Sequence, residues 1–138
     1  MYRLMAHFLV LNLIVYNIIM YELSVEDTFD SAHCLSDYDG ACSNLHGHTY
    51  RTVIRFRFKE LGSGGMALDF AYAKHVIRGV LSMMDHKYIN DIESFKDTIP
   101  SAENISSFIF YQVKMQIPEV HSVSVWETPT NCATFFED

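Results

Sequence analysis

Cysteine, proline, glycine and tryptophan are all scarce in this chain. It has 138 residues, with three cysteines, three prolines, six glycines and one tryptophan. Three cysteines cannot all pair, and their spacing is not that of a disulfide framework. This points to a reducing, cytoplasmic setting. So few prolines and glycines exclude collagen-like and low-complexity architectures. Charged residues make up only 20% and hydrophobic ones 49%, which excludes a disordered chain. A net charge of −7 argues against a nucleic-acid-binding surface as the main function. The length suits one domain with a proper core and is too short for two ordinary ones.

One long apolar run is present, at residues 4–20 (LMAHFLVLNLIVYNIIM). Three readings are open. A signal peptide lacks a small-residue cleavage site after the run. A membrane span is marginal in length and is interrupted by His7, Asn12 and Asn17. An upstream start codon, with Met20 as the natural start, is preferred because a sensible strand begins there. No membrane association is expected. Residues 1–19 are read as an extension and 20–138 as a single domain.

Histidine is concentrated where the other special residues also gather. Residues 29–50 read FDSAHCLSDYDGACSNLHGHTY and hold His33, His46, His48, Cys34 and Cys42. On an extended backbone, residues i and i+2 share a face, so His46 and His48 can reach one point. His33 lies just past a β-rich run, where an adjacent strand could bring it alongside. Three neutral imidazoles without a fourth ligand suit Zn²⁺ in an open, catalytic site. The rival is a closed structural site using Cys34 or Cys42 with His46 and His48. The seven-residue gap between the two cysteines fits that less well, because closed sites favour short ligand spacings such as C-x₂-C. Two solvated histidines at a strand edge are the plainest alternative.

Periodicity supplies the rest of the frame. Residues 20–29 and 47–58 alternate as strands. In the second, Tyr50, Thr52, Ile54, Phe56 and Phe58 share one face, while Arg51, Val53, Arg55 and Arg57 share the other. Asp69 caps a helix running to about Met84, with Phe70, Ala73, Ile77, Val80, Leu81 and Met84 as its apolar stripe. Residues 89–99 form a loop. Ser101 caps a second helix to about Gln116, with Ile105, Phe108, Ile109, Val113 and Met115 buried. Strands at 120–128 and 132–136 close the chain. The order β-β-α-α-β-β is an α+β domain: a four-stranded antiparallel sheet with both helices on one face.

Beyond the histidines, Cys42 lies four residues before His46, and a nearby cation would lower its thiol pKa. The plain alternative is a small buried hydrophobe. Asp85 and His86 are adjacent, as in a proton-transfer pair, although neighbours at a helix end need not touch. Glu127 sits inside an apolar strand and could accept two parallel N–H bonds from one planar partner, such as a pterin or guanine edge.

Together the stretches FDSAHCL, CSNLHGHTY, LDFAYAKHVI, MDHKYIND, PSAENIS and VWETP resemble the 6-pyruvoyl-tetrahydropterin synthase superfamily. The nearest look is to its bacterial 6-carboxytetrahydropterin synthases of the queuosine pathway. The resemblance covers everything after residue 19. It implies His33, His46 and His48 as zinc ligands and Cys42 as the catalytic cysteine. Asp85 and His86 would be proton-relay partners contributed by a neighbouring subunit. Glu127 would anchor the pterin, with Ser101 and Glu103 helping to hold the ring. The family usually carries threonine where this chain has Ser101 and Ala102. The fold implied is the tunnelling fold, in which trimers close a barrel and two trimers stack as a hexamer. The reaction implied is zinc-dependent conversion of 7,8-dihydroneopterin triphosphate to 6-carboxytetrahydropterin, acetaldehyde and triphosphate. The alternatives are the sister reaction, which eliminates triphosphate only, and a non-catalytic zinc- or pterin-binding oligomer. A folate-pathway relative that lacks the cysteine is disfavoured by Cys42.

Overall fold

The structure is a computed structural model that describes residues 20–137; the readings of residues 1–19 lie outside the described residues. Its frame is a sheet of five strands: β1 (Tyr21–His33), β2 (His46–Phe58), β3 (Lys87–Tyr88), β4 (Val120–Thr128) and β5 (Asn131–Phe136). Their order is β3-β1-β2-β4-β5. The four long strands pair antiparallel, and the two-residue β3 joins β1 in parallel. Helices α1 (Phe70–Leu81) and α2 (Ala102–Lys114) cover one face. The α+β class holds, with one short edge strand more than the four expected.

The first strand runs four residues beyond its expected end, because pairing with β2 continues unbroken from Tyr21↔Phe58 to His33↔His46. Period-2 alternation over that length sends Val25, Phe29, Ser31 and His33 from β1, and Tyr50, Ile54 and Phe56 from β2, into the buried layer. The helices meet them with Ala73, Val76, Ile77 and Val80 from α1 and with Ile105, Ile109, Phe110 and Val113 from α2. Two expected core residues are exposed instead. Phe70 is the first residue of α1, before the helix reaches the sheet, and Met115 is the C-cap of α2; Val76 and Phe110 are buried on the two stripes. Val53 is buried although its neighbours on that face are arginines.

Both caps form as expected. Asp69 accepts from the Ala71 amide at 2.8 Å and Ser101 from the Asn104 amide at 3.3 Å. The first helix stops at Leu81, three residues short of Met84, and residues 82–86 form a turn. Ser31 ties that turn to β1: its buried hydroxyl lies 2.8 Å from the Met84 carbonyl and 2.6 Å from that of Lys87. The expected loop at 89–99 contains two single 3-10 turns, Ile89–Asp91 and Glu93–Phe95, which bury Ile89 and Phe95.

Candidate active site

The antiparallel register builds the histidine cluster. His33 ends β1 directly opposite His46, which begins β2, and His48 follows on the same face. One nitrogen from each ring lies within 4.8 Å of the other two. His33 is 1% exposed.

Backbone carbonyls decide which ring nitrogens are free. The Nδ1–H of His33 donates to the Pro100 carbonyl at 2.7 Å, and that of His46 to the Asn44 carbonyl at 2.7 Å. Each neutral ring is thereby left with an unprotonated Nε2. These two Nε2 atoms face each other at 3.0 Å, so neither neutral ring can donate to the other. Nε2 of His48 is buried and has no partner. Ring nitrogens converging from one buried and two half-buried histidines fit a divalent cation. Burial holds the His33 pKa below its ordinary value, against the opposing pull of Pro100 and Glu127. That favours the neutral, metal-binding form. His33, His46 and His48 are the residues that would hold such an ion, which would act there as a Lewis acid.

No cysteine joins the three histidines, which departs from the closed-site alternative. The Cys34 thiol lies 2.8 Å from the Tyr88 hydroxyl, and the Asn90 side chain brackets the Cys34 backbone with two 3.0 Å bonds. Cys42 sits half-buried in a 3-10 turn (Ala41–Ser43), and its carbonyl accepts from the Leu35 amide at 2.9 Å.

Glu127 comes from β4. Its Oε1 lies 3.9 Å from His33 Nε2. It also lines a cavity of about 200 Å³ with Leu35, Ser101, Glu103 and Cys132. The three expected ring-binding residues therefore share one pocket beside the histidines. Ser101 and Glu103 reach it because α2 starts there.

Asp85 and His86 do touch: His86 Nδ1 lies 2.9 Å from Asp85 Oδ1. The contact depends on the turn after α1, where His86 adopts a positive φ of 55°. The backbone of Asp30 grips the pair twice, its amide donating to Asp85 Oδ1 at 2.9 Å and its carbonyl accepting from the His86 amide at 2.6 Å. The Asp30 amide is the main reason the Asp85 pKa lies below the ordinary value. This pair forms a second cluster with the Asp30 carboxylate, separate from the three histidines, and His86 is exposed.

A family model described as 6-pyruvoyl tetrahydropterin synthase matches residues 22–138. The chain belongs to that family. The 6-carboxy-5,6,7,8-tetrahydropterin synthase of Haemophilus influenzae is 32% identical over 141 residues, which is 86% of this chain and 100% of that protein. The enzyme of the same name from Synechocystis is 37% identical over 123 residues, 85% of this chain and 94% of that protein. The solved structure of Caenorhabditis elegans 6-pyruvoyl tetrahydropterin synthase superposes with a TM-score of 0.80 at 26% identity, covering 90% of this chain and 100% of that one. The fold is thus that of the 6-pyruvoyl tetrahydropterin synthase family, the tunnelling fold, and the protein is a pterin synthase by family. Among the described residues, no helix is long and apolar enough to cross a membrane.

Sequence reasoning missed the carbonyls of Pro100 and Asn44, which set the ring tautomers, and the grip of the Asp30 backbone on Asp85 and His86. No side-chain pattern announces a main-chain partner. It also missed Tyr50 as a neighbour of the site. The signal was there, because Tyr50 is i+2 from His48 on the same strand face.

Proposed function

We propose that this protein is a zinc-dependent 6-carboxytetrahydropterin synthase of the queuosine pathway, acting in the cytoplasm on 7,8-dihydroneopterin triphosphate. The observation that carries the reading is the double position of Glu127: it lines the cavity with Ser101 and Glu103, and it approaches His33 Nε2 to 3.9 Å. A flat ring held by Glu127 would thus place its side chain against the histidines.

His33, His46 and His48 would hold the zinc, which supplies Lewis-acid polarisation of substrate oxygen when bound. Glu127 accepts two parallel N–H bonds from the 2-amino and N3–H edge of the pterin. Ser101 and Glu103, which line the same cavity, help to hold the ring. Cys42, as thiolate, removes a carbon-bound proton from the substrate side chain. His86, oriented by Asp85, moves protons to and from substrate oxygen. With one water consumed, triphosphate and acetaldehyde leave and 6-carboxytetrahydropterin remains.

His86 lies in a cluster apart from the histidines of its own chain. A neighbouring copy would bring it to the Cys42 site, which supports an assembly with shared active sites, a trimer or a dimer of trimers. A second reading, triphosphate elimination without carbon loss, is favoured by the likeness to the C. elegans enzyme named for that product. Incubating the zinc-loaded protein with 7,8-dihydroneopterin triphosphate and weighing the products by mass spectrometry separates the two. 6-Carboxytetrahydropterin with acetaldehyde supports the first reading, and 6-pyruvoyltetrahydropterin the second. Pterin held without turnover would leave only a binding module.

A further inference from the structure

Tyr50 is fully buried, and its hydroxyl has no hydrogen-bond partner. A buried, unpaired hydroxyl is costly, and an isosteric phenylalanine would avoid the cost. The ring cannot swing the hydroxyl toward water. It stacks on Phe29 with centroids 4.8 Å apart, and it meets His48 and His33 edge-on at 5.4 and 5.8 Å. The hydroxyl is therefore held in place with a proton to donate.

The sheet register indicates the acceptor. Arg51 pairs with Trp126 across β2 and β4, and continuing that register sets Glu127 opposite Tyr50 on the same face. An ordinary phenol is protonated at neutral pH, so the hydroxyl has a proton to offer that carboxylate.

We propose that Tyr50 is a positioning residue for pterin recognition. When the N–H edge of the ring takes the near lone pairs of the Glu127 carboxylate, the Tyr50 hydroxyl donates to a lone pair on the far side and fixes the carboxylate plane. The proposal rests on Glu127 being the ring anchor and adds a donor behind it. It also accounts for a tyrosine where packing alone would favour phenylalanine.

The test is Tyr50→Phe in the full-length, zinc-loaded protein, with fluorescent pterin-6-carboxylate as the probe. Affinity should weaken about tenfold, while zinc stoichiometry is unchanged. Without probe, the melting temperature should hold or rise by about 3 °C, because an unpaired buried hydroxyl has been removed. A purely structural tyrosine would not show this opposition of stability and affinity. Probe affinity within twofold of wild type overturns the role of Tyr50 and leaves the pterin reading standing. A fall in melting temperature overturns it too, since the hydroxyl would then already be paired. If the wild-type protein itself holds no probe, the pterin reading fails and this inference falls with it.

Discussion

The two histidine-bearing clusters of this protein are built in opposite ways. His33, His46 and His48 stand on two long strands paired without interruption, with two rings fixed by main-chain carbonyls and one almost wholly buried. Asp85 and His86 stand on a turn at the sheet edge, where a strained backbone angle and the neighbouring Asp30 backbone bring them together. The first cluster takes its geometry from the repeat of the sheet, and all three of its imidazoles come from one chain. The second is exposed and orients a single imidazole. Its exposure is what the proposed role at a neighbouring copy's site would require.

The strongest way to break this contrast is to remove an imidazole from the first cluster. His48→Ala should cut bound zinc from about one per chain to under a tenth, and turnover by roughly a thousandfold, because two imidazoles alone hold a divalent ion weakly. Metal analysis and product formation would check both numbers. If zinc stays, the cluster is not the metal site.

Cys42→Ala should lower turnover by about a thousandfold as well, but with zinc content and melting temperature unchanged, since the thiol lies outside the histidine cluster. Loss of zinc in this variant would return Cys42 to the ligand set.

His86→Ala should cost about a hundredfold in turnover, again with zinc retained. The sharper experiment mixes subunits. Cys42→Ala and His86→Ala chains, co-refolded, should regain a measurable share of wild-type activity, because an assembly with shared sites would contain some with both groups intact. Mixtures no better than their parents would place both residues in one chain's own site.

The smallest effects come from pH. His33 has a folded-state pKa below its unfolded value, so the unfolded chain binds more protons as the solution is acidified. Metal-free protein should therefore lose stability as pH falls below about 6.5, read as a declining melting temperature. Asp85 is also depressed, and its contribution is present above its ordinary pKa and lost as pH falls through the lower folded value. Asp85→Asn should flatten only that acid limb, by an amount small at such an exposed position.

Side-chain type and spacing made the histidine wall legible in the chain itself. His-Gly-His on a β-patterned segment puts two rings on one face, because alternation is a property of the extended backbone and needs no partner. Asp69 and Ser101 announced the helix starts for a similar reason, since a cap acts within three residues. The α+β class followed from the order of these local periods. Residue pattern also drew attention to Glu127 as a carboxylate in an apolar strand. The placing of Cys42, Asp85 and His86 in one chemical scheme came from resemblance to a family rather than from spacing.

What tertiary structure alone decided is every contact made through the main chain or across the sheet. The partner of His33 depends on a register that joins residues 33 and 46, and alternation within one strand cannot state which residue of another lies opposite. The tautomers of His33 and His46 depend on the carbonyls of Pro100 and Asn44, groups that every residue carries and no sequence distinguishes. The contact between Asp85 and His86 depends on a turn where a helix pattern continued to Met84, a turn that the Ser31 hydroxyl ties to the first strand. Tyr50 reads in sequence as one more aromatic of a buried face. Only the packed sheet shows that its hydroxyl is enclosed without a partner, beside the rings of His33 and His48.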